Sequence, residues 1–138
     1  MVVGYTTGVF DMFHIGHLNI LKKAKEQCDY LIVGVSTDGI VESYKHKKPF
    51  IRFEERIAIV ESIKYVDRVV PQESMDKISA WEKLHYDILF HGSDWKNSDM
   101  YNSIEVALKK LGVKVVYIPH TEGISSTILE KKWKEGNL

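Results

Sequence analysis

Two kinds of segment alternate in the hydrophobic pattern of the chain. Short runs rich in β-branched and aromatic residues are typical of buried parallel strands, and longer segments repeat apolar residues at helical spacing. The strand-like runs are VVGYTTG, DYLIVGVS, DRVVP, DILFHG and VKVVYIP. The helix-like segments are HLNILKKAKEQC, RFEERIAIVESIKYV, MDKISAWEKLHY, SIEVALKKLG and SSTILEKKWKE. This alternation predicts an α/β fold with a five-stranded parallel sheet.

Local signals refine the ends of these elements. Pro71 is predicted to stop the third strand and Pro119 the fifth. Gly112 is predicted to cap the C-terminus of the helix that precedes the fifth strand. Ser125 has the residue type and position of an N-cap for the last helix. The polar and basic segment TDGIVESYKHKKPFI is interpreted as a loop.

Composition narrows the class of protein. A chain of 138 residues, 44% hydrophobic and 28% charged, can bury one core, so we expect one domain over residues 1–138. Zero net charge argues against a nucleic-acid partner, and no apolar run reaches the roughly 20 residues of a membrane span. The single cysteine, Cys28, allows no intramolecular disulfide. The first residues lack the pattern of a signal peptide. A cytoplasmic protein without membrane insertion is expected.

The segment TGVFDMFHIGH carries the first candidate chemistry. It follows the first predicted strand, at the sheet edge where ligands of parallel folds bind, and precedes a helix whose free N–H groups attract anions. His14 and His17 are one helical turn apart, so both imidazoles are expected to face one ligand and, as cations, to offset phosphate charge. Gly8 and Gly16 permit close approach of the backbone. Spacing alone favours phosphate modestly over an ordinary histidine pair, and a metal site is poorly supported because the other histidines lack ligand spacing.

Four motifs together resemble a known family. GVFDMFHIGH is similar to the HxGH signature of the nucleotidyltransferase superfamily, and HTEGISST resembles the RTEGIST motif of cytidylyltransferases. DYLIVGVSTD followed by lysines, and HGSDW, resemble two further motifs in the same order, so the likeness runs from about Gly4 to Leu129. On these residues the chain is identified as a member of the cytidylyltransferases, most similar to the small bacterial glycerol-3-phosphate cytidylyltransferases.

The resemblance implies a Rossmann-like three-layer domain, with helices on both faces of the sheet, that transfers CMP from CTP to an alcohol phosphate and releases pyrophosphate. It implies Mg²⁺ held through phosphate oxygens rather than confidently through side chains, and a homodimer. The implied catalytic residues are His14, His17, Lys45 and Lys47, and the implied acceptor-binding residues are Asp11 and Lys47. The implied CTP-binding residues are Thr7, Gly8, Val9, Phe10, Gly16, Arg56, Asp94, His120, Thr121, Gly123, Ile124, Ser125, Ser126 and Thr127.

Several of these assignments have an expected role. Lys45 and Lys47 match lysines that hold phosphate in the family, and their loop is expected to act as a lid. Arg56 matches a phosphate-binding arginine. Asp94 either accepts a hydrogen bond from the cytosine amino group or is an ordered loop carboxylate, and Trp95 either packs or lines the pocket.

Two residues differ from the family pattern at positions where the family binds phosphate. His120 stands where the family motif has arginine, and Lys64 replaces a second arginine. Met75 is expected to fill the place of a family aromatic. Two alternatives remain open: a cytidylyltransferase for phosphocholine, phosphoethanolamine or a sugar phosphate, and a nucleotide-binding module with weakened catalysis. An adenylyltransferase is less favoured because TEGISST is typical of cytidine enzymes.

Overall fold

The computed structural model describes residues 1–93 and 96–136. Strands and helices alternate along these residues, which confirms the predicted α/β pattern. The strands are β1 (Val3–Gly8), β2 (Tyr30–Ser36), β3 (Arg68–Gln72), β4 (Ile88–Gly92) and β5 (Lys114–Ile118). The helices are α1 (Ile15–Lys25), α2 (Asp38–Lys45), α3 (Phe53–Glu61), α4 (Lys77–Leu84), α5 (Asp99–Lys110) and α6 (Ser126–Lys134). Among these helices, each falls short of the length and apolar content that a bilayer crossing requires.

The sheet is parallel throughout and has the strand order β3-β2-β1-β4-β5. The chain therefore builds outward from β1 to β3 and then crosses to the other side of β1 for β4 and β5. The direction of the strand order reverses between β1 and β4, and parallel sheets open a ligand crevice at such a point. Because Thr6 pairs with Phe90, β1 and β4 end together at this crevice.

Apolar side chains cover both faces of the sheet. One buried cluster joins α1 and α3 to the sheet through Leu21, Ala24, Val33, Val35 and Val60. The cluster on the other face includes Tyr5, Ile32, Leu89, Tyr101 and Leu108, with α5 supplying the last two. Helices on both faces confirm the predicted three-layer arrangement. They also explain why the strands are continuous apolar runs, since each strand is buried on both sides.

The segment interpreted as a loop contains a helix, α2, so that prediction was wrong. The Thr37 hydroxyl caps the helix by accepting a hydrogen bond from the Ile40 N–H at 3.3 Å. Val41 is 1% exposed and anchors α2 to the body of the protein. One buried residue and a side-chain cap hold this short helix although its other residues are mostly polar.

Pro71 does not end the third strand as predicted. The strand continues to Gln72, and Pro71 pairs with Val35 in the parallel register. This is possible because β3 is an edge strand, where the missing proline N–H can face outward without breaking a ladder bond. Pro119, by contrast, directly follows the last residue of β5, as predicted.

The predicted stop at Gly112 is confirmed in detail. Gly112 adopts φ +80 and donates its N–H to the Lys109 carbonyl at 3.0 Å. The next N–H, of Val113, bonds to the Leu108 carbonyl at 2.9 Å. These two bonds form a Schellman motif, and the buried side chains of Leu108 and Val113 supply its usual apolar contact.

Gly112 and Gly39 give a matched test of this ending. Gly112→Ala should lower the free energy of unfolding by about 1 kcal/mol, because a side chain disfavours positive φ. Gly39 lies in α2 with open space around its Cα and no positive φ, so Gly39→Ala should raise the same quantity by about 0.5 kcal/mol. Urea denaturation measures both, and equal effects of the two substitutions would contradict the assigned cap.

Candidate active site

A pocket of about 320 Å³ lies at the crevice between β1 and β4. Its wall combines the β1–α1 turn, the end of β4, the lysines after α2 and the start of α6. The lining residues are Thr7, Gly8, Val9, Phe10, Asp11, His17, Ile20, Val41, Lys45, Lys47, Lys48, Pro49, His91, Gly92, His120, Ser126, Thr127 and Glu130. Four separate parts of the sequence thus converge on one anion-attracting cavity.

Two of the non-glycine residues with positive φ lie in the β1–α1 turn beside this pocket. Phe10 and Met12 adopt φ of 55 and 49, values that non-glycine residues rarely take. A Cβ on Gly8 would stand 3.0 Å from the Phe10 ring, a tight contact that glycine avoids. Such strain is kept where surrounding contacts enforce it, often at ligand sites.

His14 and His17 form a reciprocal cap at the start of α1. The His14 Nδ1 accepts the Gly16 N–H at 3.0 Å, and the His17 Nδ1 accepts the His14 N–H at 3.2 Å. The two rings stack with centroids 3.8 Å apart. Because both Nδ1 atoms accept hydrogen bonds, each neutral imidazole must carry its proton on Nε2. Each ring therefore keeps an Nε2–H donor: His17 lines the pocket, and the Nε2 of His14 is buried and has no hydrogen-bond partner among the described residues.

The charge state of these histidines differs from the expectation that they act as cations. Burial, followed by the proximity of His14, lowers the pKa of His17 to about 3. Burial also lowers the pKa of His14. In the empty site near pH 7 both rings are therefore neutral, and each carries a hydrogen-bond donor rather than a charge.

Gly16 explains the glycine of the HIGH motif. A Cβ at this position would stand 2.8 Å from the His14 Cε1 and 2.9 Å from the His14 Nδ1. The imidazole lies directly over the Gly16 backbone, where any side chain would displace it. Gly16 thus shapes the site through His14 and is absent from the pocket wall.

The HTEGISST segment is fastened to the β1–α1 region. The Thr121 hydroxyl accepts a hydrogen bond from the Asn19 amide at 2.8 Å, and the Ser126 hydroxyl donates to the Asp11 carbonyl at 2.6 Å. Ser125 caps α6 by accepting the Ile128 N–H at 3.1 Å, which confirms the predicted cap. These bonds aim the free N–H groups of α6 at the pocket.

Residues 46–51 after α2, which contain Lys47 and Lys48 and are called the lysine loop below, are fixed at their far end by Asp11. One carboxylate oxygen accepts the Phe50 N–H at 2.8 Å and the other accepts the Ile51 N–H at 2.9 Å. Burial lowers the pKa of Lys45, and the adjacent charge of Lys47 lowers it further. Asp11, which was expected to bind the acceptor, lines the pocket and also clamps this loop.

Arg56 does not reach the pocket as the sequence implied. Its side chain is fully buried, and its guanidinium donates to the carbonyls of Val9, Ser36 and Ile51 and to the Asp38 carboxylate, at 2.6–2.8 Å. These partners use four of its five N–H donors, and Arg56 is absent from the residues that line the pocket. Arg56 ties the ends of β1 and β2 to the lysine loop, and its expected contact with CTP is corrected to this supporting role.

The remaining implied residues divide into two groups. Those that line the pocket, in addition to the lysines, are Thr7, Gly8, Val9, Phe10, Asp11, His17, His120, Ser126 and Thr127. Those outside the wall are His14, Gly16, Arg56, Thr121, Gly123, Ile124 and Ser125, of which His14 stacks on His17. Gly123 has φ +79, so it provides a turn that favours glycine. Asp94 and Trp95 lie outside the described residues.

Lys77 is a feature of the site that the sequence reasoning missed. It is 4% exposed, and its ammonium donates to the Thr7 hydroxyl at 2.8 Å, directly behind the pocket wall. Burial lowers its pKa to about 8, and among the described residues no carboxylate forms an ion pair with it. Lys77 follows the end of β3 closely in the sequence, and this position could have indicated a role at the site. The neighbouring Met75, expected to fill the aromatic position, is 43% exposed, and Lys64 is also exposed, outside the pocket wall.

A larger open groove of about 740 Å³ lies between α5 and β5. It is lined by Asn102, Glu105, Val106, Lys109, Gly112, Val113, Lys114 and Val115. None of these residues belongs to the motifs that converge at the β1–β4 crevice. The residues that line the smaller pocket, rather than its volume, therefore identify it as the candidate active site.

Comparisons with known proteins agree with this geometry. Glycerol-3-phosphate cytidylyltransferase of Staphylococcus aureus (strain NCTC 8325 / PS 47) is 38% identical over 128 residues, 92% of this chain and 91% of that protein. Glycerol-3-phosphate cytidylyltransferase of Bacillus subtilis (strain 168) is 37% identical over 134 residues, 92% of this chain and 93% of that protein. The crystal structure of the lipopolysaccharide core biosynthesis protein from Thermoplasma volcanium GSS1 matches with a TM-score of 0.74 at 29% identity, over 88% of this chain and 97% of that chain.

The family assignment follows from how much of the chain is matched. Residues 5–132 fit the family model described as Cytidylyltransferase-like. This range includes every motif that converges on the pocket, from the β1–α1 turn to the start of α6. The chain belongs to the cytidylyltransferase-like family.

Proposed function

We propose that the protein transfers CMP from CTP to glycerol 3-phosphate, which yields CDP-glycerol and pyrophosphate. The observation that carries the proposal is the stacked His14–His17 pair, whose Nε2–H donors stand at the N-terminus of α1 beside a lysine-lined pocket. Two relatives of nearly the same length with this activity in their names support it. Release of pyrophosphate from CTP, Mg²⁺ and a panel of phosphorylated alcohols tests it directly.

The reaction needs no side-chain nucleophile. An oxygen of the acceptor phosphate forms a bond to the α-phosphorus of CTP, and the bond from that phosphorus to the bridging oxygen of pyrophosphate breaks. Because the acceptor is already ionised at neutral pH, the protein has only to align it and stabilise charge in the transition state. His14 and His17 would donate to the phosphates as negative charge shifts onto the leaving group.

Lysines and helix ends would hold the triphosphate. Lys45 and Lys47 enter the pocket from one side, and the free N–H groups of α6, beside Ser126 and Thr127, face it from another. His120 lines the same wall and would donate where the family motif has arginine. The preorganised N–H groups require no rearrangement at the moment of reaction.

We propose that Mg²⁺ enters with the nucleotide, held by phosphate oxygens. Asp11 and Glu130 are the carboxylates of the described pocket wall, and the oxygens of each already accept hydrogen bonds from the protein. Groups of three or more metal-ligating side chains are absent from the described residues. When bound, Mg²⁺ would neutralise charge on the leaving pyrophosphate.

The acceptor and the setting of the enzyme are further parts of this proposal. Thr7 lies at the end of β1 with the ammonium of Lys77 behind it, and we assign the acceptor phosphate to this position, with Asp11 and Lys47 as the other residues expected to bind the acceptor. Phosphocholine, phosphoethanolamine and sugar phosphates remain the alternative acceptors. We expect the enzyme to be a homodimer, which light scattering tests. We also expect it to act in the cytoplasm and to supply CDP-glycerol for a cell-surface polymer.

Two conservative substitutions separate the catalytic role of the histidines from their capping role. His14→Asn keeps a good N-cap, and His17→Gln keeps the partner residue of a capping box, but both remove the imidazole. Each should lower kcat by about 100-fold or more, because a donor to developing charge is lost, while the melting temperature changes little. Steady-state kinetics and thermal denaturation check this, and near-normal kcat in either variant would refute the assigned role.

Nucleotide choice gives a second test. CTP should exceed UTP in kcat/KM by at least about 100-fold, because a site that accepts a hydrogen bond from the cytosine amino group leaves a polar group unpaired against the uracil carbonyl. In the same assay Asp94→Asn should narrow this ratio, since an amide can donate to uracil. If kcat/KM for ATP equalled that for CTP, the cytidine assignment would be wrong.

Lys77 gives a third test, because its charge is costly to bury. Lys77→Met should lower kcat/KM for the acceptor by at least about 10-fold, yet leave the free energy of unfolding unchanged or higher at pH 7. With a folded pKa of about 8 against 10.5, the parent should lose activity and gain stability as pH rises above 8, because the unfolded chain then binds more protons. Both pH effects should be absent in Lys77→Met and kept in Lys64→Met, which alters an exposed lysine. A parent-like alkaline limb in Lys77→Met would contradict the assignment.

A further inference from the structure

Glu130 is one of two carboxylates that line the described pocket wall; the other, Asp11, accepts two backbone N–H groups of the protein. Glu130 lies on α6, one turn after Ser126 and Thr127, and lines the same wall. A negative charge beside bound phosphates repels them, so its presence there calls for a physical reason. The proposed function does not use this side chain.

Both oxygens of Glu130 are held by lysines from different elements. Oε2 accepts from Lys47 Nζ at 3.0 Å, and Oε1 accepts from Lys134 Nζ at 3.0 Å. Side-chain exposure is 18% for Glu130 and 55% for Lys47, so the carboxylate is the better-packed partner. Among the ion pairs of the described residues, this one joins the lysine loop to α6.

The same ammonium is the one that a triphosphate needs. An incoming nucleotide brings several negative charges to Lys47, whereas Glu130 offers one. When Lys47 leaves, Glu130 still keeps Lys134, a favourable i,i+4 partner on its own helix, so the carboxylate is not stranded. Exchange of Lys47 from carboxylate to phosphate is therefore favourable without removing all the counter-charge from Glu130.

We propose that Glu130 holds Lys47 in place in the empty pocket and competes with the phosphates of the nucleotide for it. Glu130 is thus a positioning residue that weakens nucleotide binding and so sets its affinity. The inference rests on the proposed function for the identity of the nucleotide, but it requires only a polyphosphate at Lys47.

Calorimetric titration with CTP and with tripolyphosphate, at low salt and with Mg²⁺, tests the competition. Glu130→Gln should bind both ligands about 3- to 10-fold more tightly, because Lys47 is released from its ion pair. The matched control is Glu135→Gln, which removes the same charge from the C-cap of α6, at a residue that pairs with Lys131 and lies outside the wall of the β1–β4 pocket, and it should change affinity less than twofold. In kinetics, Glu130→Gln should lower KM for CTP without raising kcat.

A double-substitution cycle shows whether the effect passes through Lys47. Lys47→Gln should weaken binding by about 10-fold, and in that background Glu130→Gln should gain less than twofold. An equal gain in both backgrounds would mean that Glu130 acts by direct repulsion and would overturn the proposal, as would unchanged or weaker binding by Glu130→Gln alone. Failure of the parent to bind tripolyphosphate would also overturn it. Tripolyphosphate binding without turnover of CTP would instead defeat the proposed function and leave this inference standing.

Discussion

The reciprocal hydrogen bonds between His14 and His17 constrain the rest of the site. An N-cap is usually serine, threonine, aspartate or asparagine, because a short side chain returns easily to the helix N–H groups. Here an imidazole does this work, and capping consumes the Nδ1 atom of each ring. The consequence is chemical: each neutral ring has only Nε2–H left to offer a ligand. The bonds that start α1 therefore also fix the tautomer and direction of the two donors.

This constraint propagates through the packing around it. Gly16 must lack a side chain so that the His14 ring can lie over it, and Phe10 must accept positive φ so that the turn closes against Gly8. The Ser126 hydroxyl donates to the Asp11 carbonyl in the same turn, which brings the N-terminus of α6 to the pocket wall. Local backbone strain near Phe10 is offset by these contacts, as is common at ligand sites.

The sequence predicted the arrangement better than it predicted individual roles. Periodicity gave the alternation of strands and helices, because strands buried on both faces are nearly uniform in hydrophobicity. It failed for α2, where Val41 alone is buried and most other residues are polar. The burial of Arg56 and Lys77 was not predicted either, because burial of a charged side chain depends on partners from distant elements. A local pattern contains no information on those partners, so the family resemblance placed Arg56 on the CTP phosphates, and Lys77 resembled an ordinary member of a helix.

The three cations Arg56, Lys77 and Lys47 show how partners decide what a positive charge does. Arg56 is fully buried and four of its five N–H donors bond to protein acceptors, so it serves the architecture. Lys77 is almost as buried but bonds to a single hydroxyl, so its charge is poorly compensated and favours an anion nearby. Lys47 is half-exposed and paired with a carboxylate, so it can exchange that partner at little cost. Three positive charges of different kinds thus lie around one pocket: the first is held in place by its partners, the second is poorly compensated, and the third can exchange its partner. In the function proposed here, Arg56 keeps the pocket walls in place, Lys77 would attract the acceptor phosphate, and Lys47 would exchange its carboxylate partner for the nucleotide.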